Sequence, residues 1–178
     1  MGGTSSRWAA ADISAALAIP THTGAFVTSH HVDLGTTQPA SYNALMELHH
    51  ASVDAAVKAG ISTRTIELVK IRASQINGCA YCLRLHTTDA ITAGETQDRL
   101  AVLPAWRETQ YFSDVEQAAL RIAEFVTNIS IADLPEDVYA HIAQILTPQQ
   151  VAAIHWLAIV INAFNRVAIS GHIAVAPA

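Results

Sequence analysis

The thiols of this 178-residue chain are Cys79 and Cys82, two positions in the stretch from Glu67 to His86, ELVKIRASQINGCAYCLRLH. A helix starting at Cys79 places Cys79, Cys82 and His86 at i, i+3 and i+7, on one face. A thiol in a first helical turn meets unpaired N–H groups and the positive end of the helix dipole, which favour thiolate and pull down a pKa normally near ~8.5. The C-x-x-C spacing also allows a local disulfide within one turn. His86 follows Cys82 by one turn, within reach of its proton, and an imidazole is suited to proton exchange at neutral pH. Glu67 lies twelve positions before Cys79. The turn signal Asn77-Gly78 can fold its helix back so that the carboxylate approaches the thiols and the imidazole. The chemistry predicted is thiol–disulfide exchange served by a carboxylate–imidazole relay.

Two blander readings compete with it. The pair can be inert buried thiols. Alternatively, Cys79, Cys82 and His86 can ligate zinc, with Glu67 or another histidine as fourth ligand. Structural zinc sites usually draw a second ligand pair from a distant segment, and no matching pair is evident, so neither metal nor cofactor is expected. Adjacent histidines on a helix diverge by about 100°, so His49-His50 is no ready-made chelate, and His30-His31 is read the same way. His155 and His172 are read as packed or solvent-facing. Trp106, Tyr111, Phe112, Trp156 and Phe164 are read as core or interface anchors. Asn162, Asn165 and Arg166 interrupt an apolar stretch and need hydrogen-bond partners if buried, at a subunit contact or beneath the active site.

The elements that must position these groups all read as helices. Ser41 can cap a helix with Leu45, Leu48, Val53 and Val57 at helical spacing and Gly60 as its stop. Residues 63–75 carry Ile66, Val69 and Ala73 on one stripe. The cysteine helix runs from about Cys79 to Ala93 and is closed by Gly94. A short helix over 96–103 ends before Pro104. Ser113-x-x-Glu116 is a capping box for a helix to about Asn128, Leu134-Pro135 opens another to about Leu146, and Thr147-Pro148-x-Gln150 is a second capping box. No alternating β-branched run competes, so the fold class is all-α. Residues 1–38, rich in Gly, Ser, Thr and His, read as an N-terminal arm with at most a short helix near 9–18. Residues 39–171 read as one helical domain and 172–178 as a tail.

Composition narrows the function classes. The chain is 51% hydrophobic and 14% charged, with a formal net charge of −5. Disorder needs the opposite balance, and a nucleic-acid surface needs a basic patch. The stretch 151–169 is broken by His155, Asn162, Asn165 and Arg166, so no bilayer span is expected. Asp12 interrupts the Ala-rich run after Arg7, so no cleaved signal is expected either. Two close cysteines suit a reducing compartment, which predicts a cytoplasmic protein. Ordinary domains are about 25% charged, so this surface is short of polar cover and subunit contacts are expected to hide part of it.

The spacing E-x11-C-x-x-C-x3-H, realised as Glu67, Cys79, Cys82 and His86, resembles the alkylhydroperoxidase AhpD core of the carboxymuconolactone decarboxylase-like superfamily. SQINGCAYCLRLHT, AGETQDRLAVLPAWRET and INAFNR extend the likeness over about residues 39–171. The resemblance implies a single-domain, all-helical AhpD-like fold assembled as a homo-oligomer, a trimer or hexamer. It implies a thiol-dependent peroxidase for hydrogen peroxide or organic hydroperoxides. Cys82 would be the peroxidatic thiol, Cys79 the resolving thiol, and Glu67 and His86 the proton relay, with an external dithiol or lipoyl-type reductant resetting the disulfide. One position departs: the family's best-known peroxidases carry a histidine just before the second cysteine, and here Tyr81 stands there, a poor base at neutral pH. The alternatives are a non-catalytic oligomeric redox or metal-binding sensor, and a decarboxylase-type enzyme, whose branch of the superfamily lacks the cysteine pair.

Overall fold

The structure is a computed structural model that describes residues 31–132 and 134–177. The short helix considered near 9–18 and His30 lie outside the described residues. Every regular element among the described residues is helical. They are α1 (Leu34–Thr37), α2 (Pro39–Lys58), α3 (Thr63–Asn77), α4 (Ala80–Thr92), α5 (Gln97–Val102), a 3-10 segment (Leu103–Glu108), α6 (Asp114–Thr127), α7 (Glu136–Ile145) and α8 (Pro148–Ser170).

Local chemistry sets the boundaries. Ser113 and Thr147 form reciprocal capping boxes with Glu116 and Gln150, as their spacing predicts. Ser62 caps α3 by accepting from the Thr65 N–H at 3.1 Å. Gly78 ends that helix at φ 70°, a left-handed conformation that costs glycine nothing. Three boundaries differ from the sequence reading. α2 starts at Pro39 rather than Ser41, because proline at the first helical position needs no N–H partner. Asp33 accepts from the Gly35 and Thr36 N–H groups and winds the single turn of α1 inside the expected arm. Pro104 does not stop the chain from coiling; it sits near the start of the 3-10 segment, with a kink at Ala105.

α3 is the centre of the packing, with α4, α6 and α8 against it and α2 laid on α8. One core joins Ile66 and Val69 of α3 to Ala119, Ile122, Ile142, Ile154 and Leu157. A second surrounds Trp106 with Leu68, Ile71, Leu103, Phe112 and Leu120. Trp106 Nε1 donates to Glu124 Oε1 at 2.9 Å, and the same carboxylate takes Arg72 at 2.7 Å and Arg107 at 2.5 Å. Of the aromatics read as anchors, Trp106 and Phe112 are buried, while Tyr111 and Trp156 are about half exposed. α2 differs from expectation: its buried positions are Ser52 and Ala56, and Leu48 and Val57 face outward. By length and composition alone α8 could cross a membrane, but half of its apolar window is buried among the other helices, as in a core helix.

Ile154 is fully buried where α8 meets the first core. Ile154→Ala is expected to cost about 2–5 kcal/mol, read by denaturant unfolding, because the surrounding helices cannot collapse into the space left. Ile131→Ala, at an 81% exposed position, should change stability by less than about 0.5 kcal/mol in the same measurement.

Candidate active site

The Gly78 turn delivers Cys79 to the N-cap of α4, one position before the helix proper. Its Sγ accepts from the Cys82 backbone N–H at 3.4 Å, a role more often taken by an oxygen. One turn on, Cys82 points back, and the two sulfurs lie 2.8 Å apart as free thiols. Both are at most 3% exposed, packed with Ala73, Ile161 and Ala168 and flanked by Tyr81 and Phe164. A cavity of about 260 Å³ reaches Cys79 between Tyr81 on one side and Ala168, His172 and Ile173 on the other.

His86 occupies the next turn of the same helix face, buried, with Nδ1 2.9 Å from Glu67 Oε2. The other oxygen of Glu67 takes the Lys70 ammonium at 2.7 Å. Burial would raise the Glu67 carboxyl, but the Lys70 charge and the bonds to His86 and Lys70 override it and hold the pKa at about 2. The carboxylate is therefore ionised and can only accept. Nδ1 of His86 must carry the hydrogen between them, which leaves the Nε2 lone pair as the basic site. Asp89 Oδ2 lies 3.6 Å from the same Nδ1, on a half-exposed side chain.

The two sulfurs ionise unequally. The Cys82 hydrogen bond, helped by the Cys82 N–H, His86 and the Asn165 amide, outweighs burial and brings Cys79 down to about 7. Cys82 is pushed up, first by its bond to Cys79, then by burial and the Cys79 charge. A single proton shared across 2.8 Å makes the first ionisation easy and the second hard. Tyr81 is raised above the ordinary tyrosine value by burial and the neighbouring sulfurs, so it holds its proton.

The structure brings all four expected residues, Glu67, Cys79, Cys82 and His86, to one place from α3 and the N-cap and first two turns of α4. As a metal site the arrangement fits poorly. Among the described residues, the ligand atoms that converge within 4.8 Å belong to Glu67, His86 and Asp89, a set without either sulfur, and the Lys70 cation already neutralises its carboxylate. Several neighbours escaped the sequence reading. Lys70 follows Glu67 by three residues, a spacing that signals an ion pair. His49 of α2 stacks edge-on to Phe164 with ring centres 5.7 Å apart, and burial, then Lys70, His50 and His86, lower it to about 4. No spacing along the chain signals that approach, because it depends on how α2 crosses α8.

Residues 39–125 match the carboxymuconolactone decarboxylase family. The uncharacterized protein YdfG of Bacillus subtilis is 37% identical over 113 residues, 64% of this chain and 77% of that protein. The chain belongs to the carboxymuconolactone decarboxylase family. Among solved structures, a protein of unknown function from Agrobacterium tumefaciens, suggested to be the antioxidant defence protein AhpD, superposes with a TM-score of 0.72. It is 26% identical, and the match covers 80% of this chain and 94% of that one. This member of the family therefore has the AhpD-like fold.

Partly buried His49 and buried Glu67 make stability depend on pH in successive windows. The folded value of His49 lies below its ordinary 6.5, so its neutral form stabilises the fold above 6.5 and that contribution is lost as pH falls toward 4. Glu67 is depressed from 4.5 to about 2, so its contribution is present above 4.5 and lost as pH falls through 2. Replacing His49 in His49→Gln should flatten the stability loss between pH 6.5 and 4.5 and leave the steeper loss below 4.5, as followed by urea midpoints. Equal slopes in the two proteins across the upper window would contradict this placement of His49.

Proposed function

We propose that the protein is a thiol-dependent peroxidase that reduces hydrogen peroxide or organic hydroperoxides through a Cys79/Cys82 dithiol–disulfide cycle. The observation that carries the reading is two free thiols 2.8 Å apart at a helix start, one turn from an imidazole whose tautomer is fixed by an ionised carboxylate. In this reading Cys82, the sulfur harder to ionise, needs a base, and His86 Nε2 takes its proton while Glu67 stabilises the imidazolium. The Cys82 thiolate attacks one peroxide oxygen and the O–O bond breaks. His86 returns the proton to the departing oxygen as water or alcohol, and Cys82 is left as sulfenic acid. Cys79, which ionises near neutrality, then attacks that sulfur. The S–S bond forms, hydroxide leaves and takes up a proton as water. An external dithiol, of lipoyl or similar type, supplies the two electrons that restore the pair.

The 260 Å³ cavity at Cys79 is lined largely by apolar groups, which suits an organic hydroperoxide or the chain of a dithiol donor. With Tyr81 protonated and no second histidine beside Cys82, the proton traffic falls on His86 alone. The remaining parts of the reading are a cytoplasmic location, no nucleic-acid or membrane partner, and a homo-oligomer. Half-exposed Trp156 and Ile159 on α8 are the kind of apolar surface that subunit contacts would cover.

A coupled assay with a panel of dithiol donors tests this. Cys82→Ser should abolish hydroperoxide turnover. Cys79→Ser should allow a single turnover that leaves a dimedone-reactive sulfenic acid on Cys82. Glu67→Gln should slow turnover by about 100-fold or more. A sulfenic acid trapped on Cys79 in Cys82→Ser, at the wild-type rate, would reverse the two roles. Turnover unaffected by either cysteine substitution, or no donor sustaining it in the wild type, would overturn the peroxidase reading and leave a thiol–disulfide switch.

A further inference from the structure

Asn165 is fully buried in the last third of an apolar helix, and the cycle above gives it no part. It stands four residues after Ile161 and three before Ala168, both of which pack with Cys79 and Cys82. Its side chain therefore leaves α8 on the stripe that faces the thiols.

Hydrogen counting fixes which way its amide points. The Ser74 hydroxyl donates to the Lys70 carbonyl at 2.7 Å, so toward Asn165 it can only accept, and it takes Nδ2 of Asn165 at 3.0 Å. On the other side Asn77 Nδ2 donates one hydrogen to Asn165 Oδ1 at 2.8 Å and the other to Asn162 Oδ1 at 2.9 Å. Asn162 is pinned in turn, its Nδ2 donating to Thr127 Oγ1 at 2.9 Å and to the Ala158 carbonyl at 2.8 Å. Turning the Asn165 amide over would set two NH2 groups face to face and aim a carbonyl at a hydroxyl already committed. One Nδ2 hydrogen of Asn165 is thus held by Ser74. The second has the sulfur pair as its neighbour, and it favours the ionised form of each thiol.

We propose that Asn165 is the hydrogen-bond donor that holds the thiolate of the Cys79–Cys82 pair, through an amide whose orientation is set by Ser74 and Asn77. Placing such a donor on α8 ties thiol reactivity to the docking of that helix and not only to the local turn at Gly78. The other groups facing the pair are His86 and Tyr81 from α4, Tyr42 from α2 and, across the cavity at Cys79, His172 just after α8, with Glu67 and Lys70 of α3 acting through His86. Arg166, the charged neighbour on α8, is turned to Asn162. The proposal rests on the dithiol reading of the site but concerns ionisation alone, so it is tested without peroxide.

The test measures the pH dependence of iodoacetamide alkylation in the fully reduced full-length protein, with circular dichroism as a check of folding. Asn165→Asp keeps the acceptor that Asn77 needs and loses the donor; Asn165→Ser shortens the side chain away from the pair. In both, the alkylation midpoint should rise by about one pH unit or more. In Ser74→Ala, which frees the amide without removing it, the rise should be smaller and in the same direction. Folded Asn165 variants that alkylate with the wild-type midpoint would overturn the proposal and reduce Asn165 to a packing role. If neither Asn165 variant folds, an unmoved midpoint in Ser74→Ala overturns it equally. A raised midpoint in a protein that fails every peroxide assay would uphold Asn165 and sink only the peroxidase reading.

Discussion

The site depends on keeping one buried carboxylate charged. Glu67 is 5% exposed, and an isolated carboxylate so placed would take up a proton rather than pay the desolvation cost. Lys70 and His86 each take one of its oxygens, and together they reverse the effect of burial. The ionised state then dictates the chemistry of its neighbours. It fixes the His86 tautomer, leaves Nε2 basic, and provides a place for positive charge when that nitrogen accepts a proton. Without Lys70 the same carboxylate would compete for that proton and the imidazole would have no fixed direction of transfer.

This constraint explains why α3 sits at the centre of the fold. A single helix carries Glu67, Lys70, Ser74 and Asn77, each three or four residues from the next, so that one stripe serves the relay at one end and the thiol network at the other. The rest of the circumference of the same helix supplies Ile66 and Val69 to the first core and Leu68 and Ile71 to the second. Burial against α6 and α8 gives the stripe its low dielectric surroundings, which strengthen the bonds it makes and penalise any left unmade. Gly78 then reverses the chain so that the first turn of α4 meets the end of that stripe. A side chain at Gly78 would strain that reversal and displace Cys79, whose N-cap position depends on it.

Much of this was legible in residue spacing, and the remainder was not for a definite reason. Cys79, Cys82 and His86 share a helical face, and helical periodicity announces that without tertiary information. The fold class and most caps were readable in the same way, since Ser113, Thr147 and Gly78 act on their own neighbours. Glu67 was identifiable by its family-like spacing, but its 2.9 Å approach to His86 depends on two helices meeting at a particular angle. His49 and the direction of the Asn165 amide were beyond reach altogether, because packing of α2 and α3 against α8 creates those contacts. Even the exposed Leu48 and Val57 belong to this class: their spacing is helical, but spacing alone does not say which side of a weakly amphipathic helix turns inward.

The same geometry bears on how the chain distributes its polar groups. Only 14% of its residues are charged, and five of those side chains, Glu67, Lys70, Glu95, Glu116 and Glu124, are buried along with His86. A chain selected only to stay dissolved would place such groups outside. Here Glu124 braces Trp106, Arg72 and Arg107 beneath α3, and Arg99 clamps Glu95 and Glu116 where the chain passes from α5 toward α6. Both clusters stand beside helices that carry or contact the thiol site, so the interior charge fixes helix positions that apolar contacts alone would leave free to slide. The consequence, among the described residues, is a surface poor in charge and rich in exposed isoleucine and valine. Shortage of polar cover and precision of the buried site are thus two results of one allocation, and the apolar exterior follows from where the polar side chains are needed.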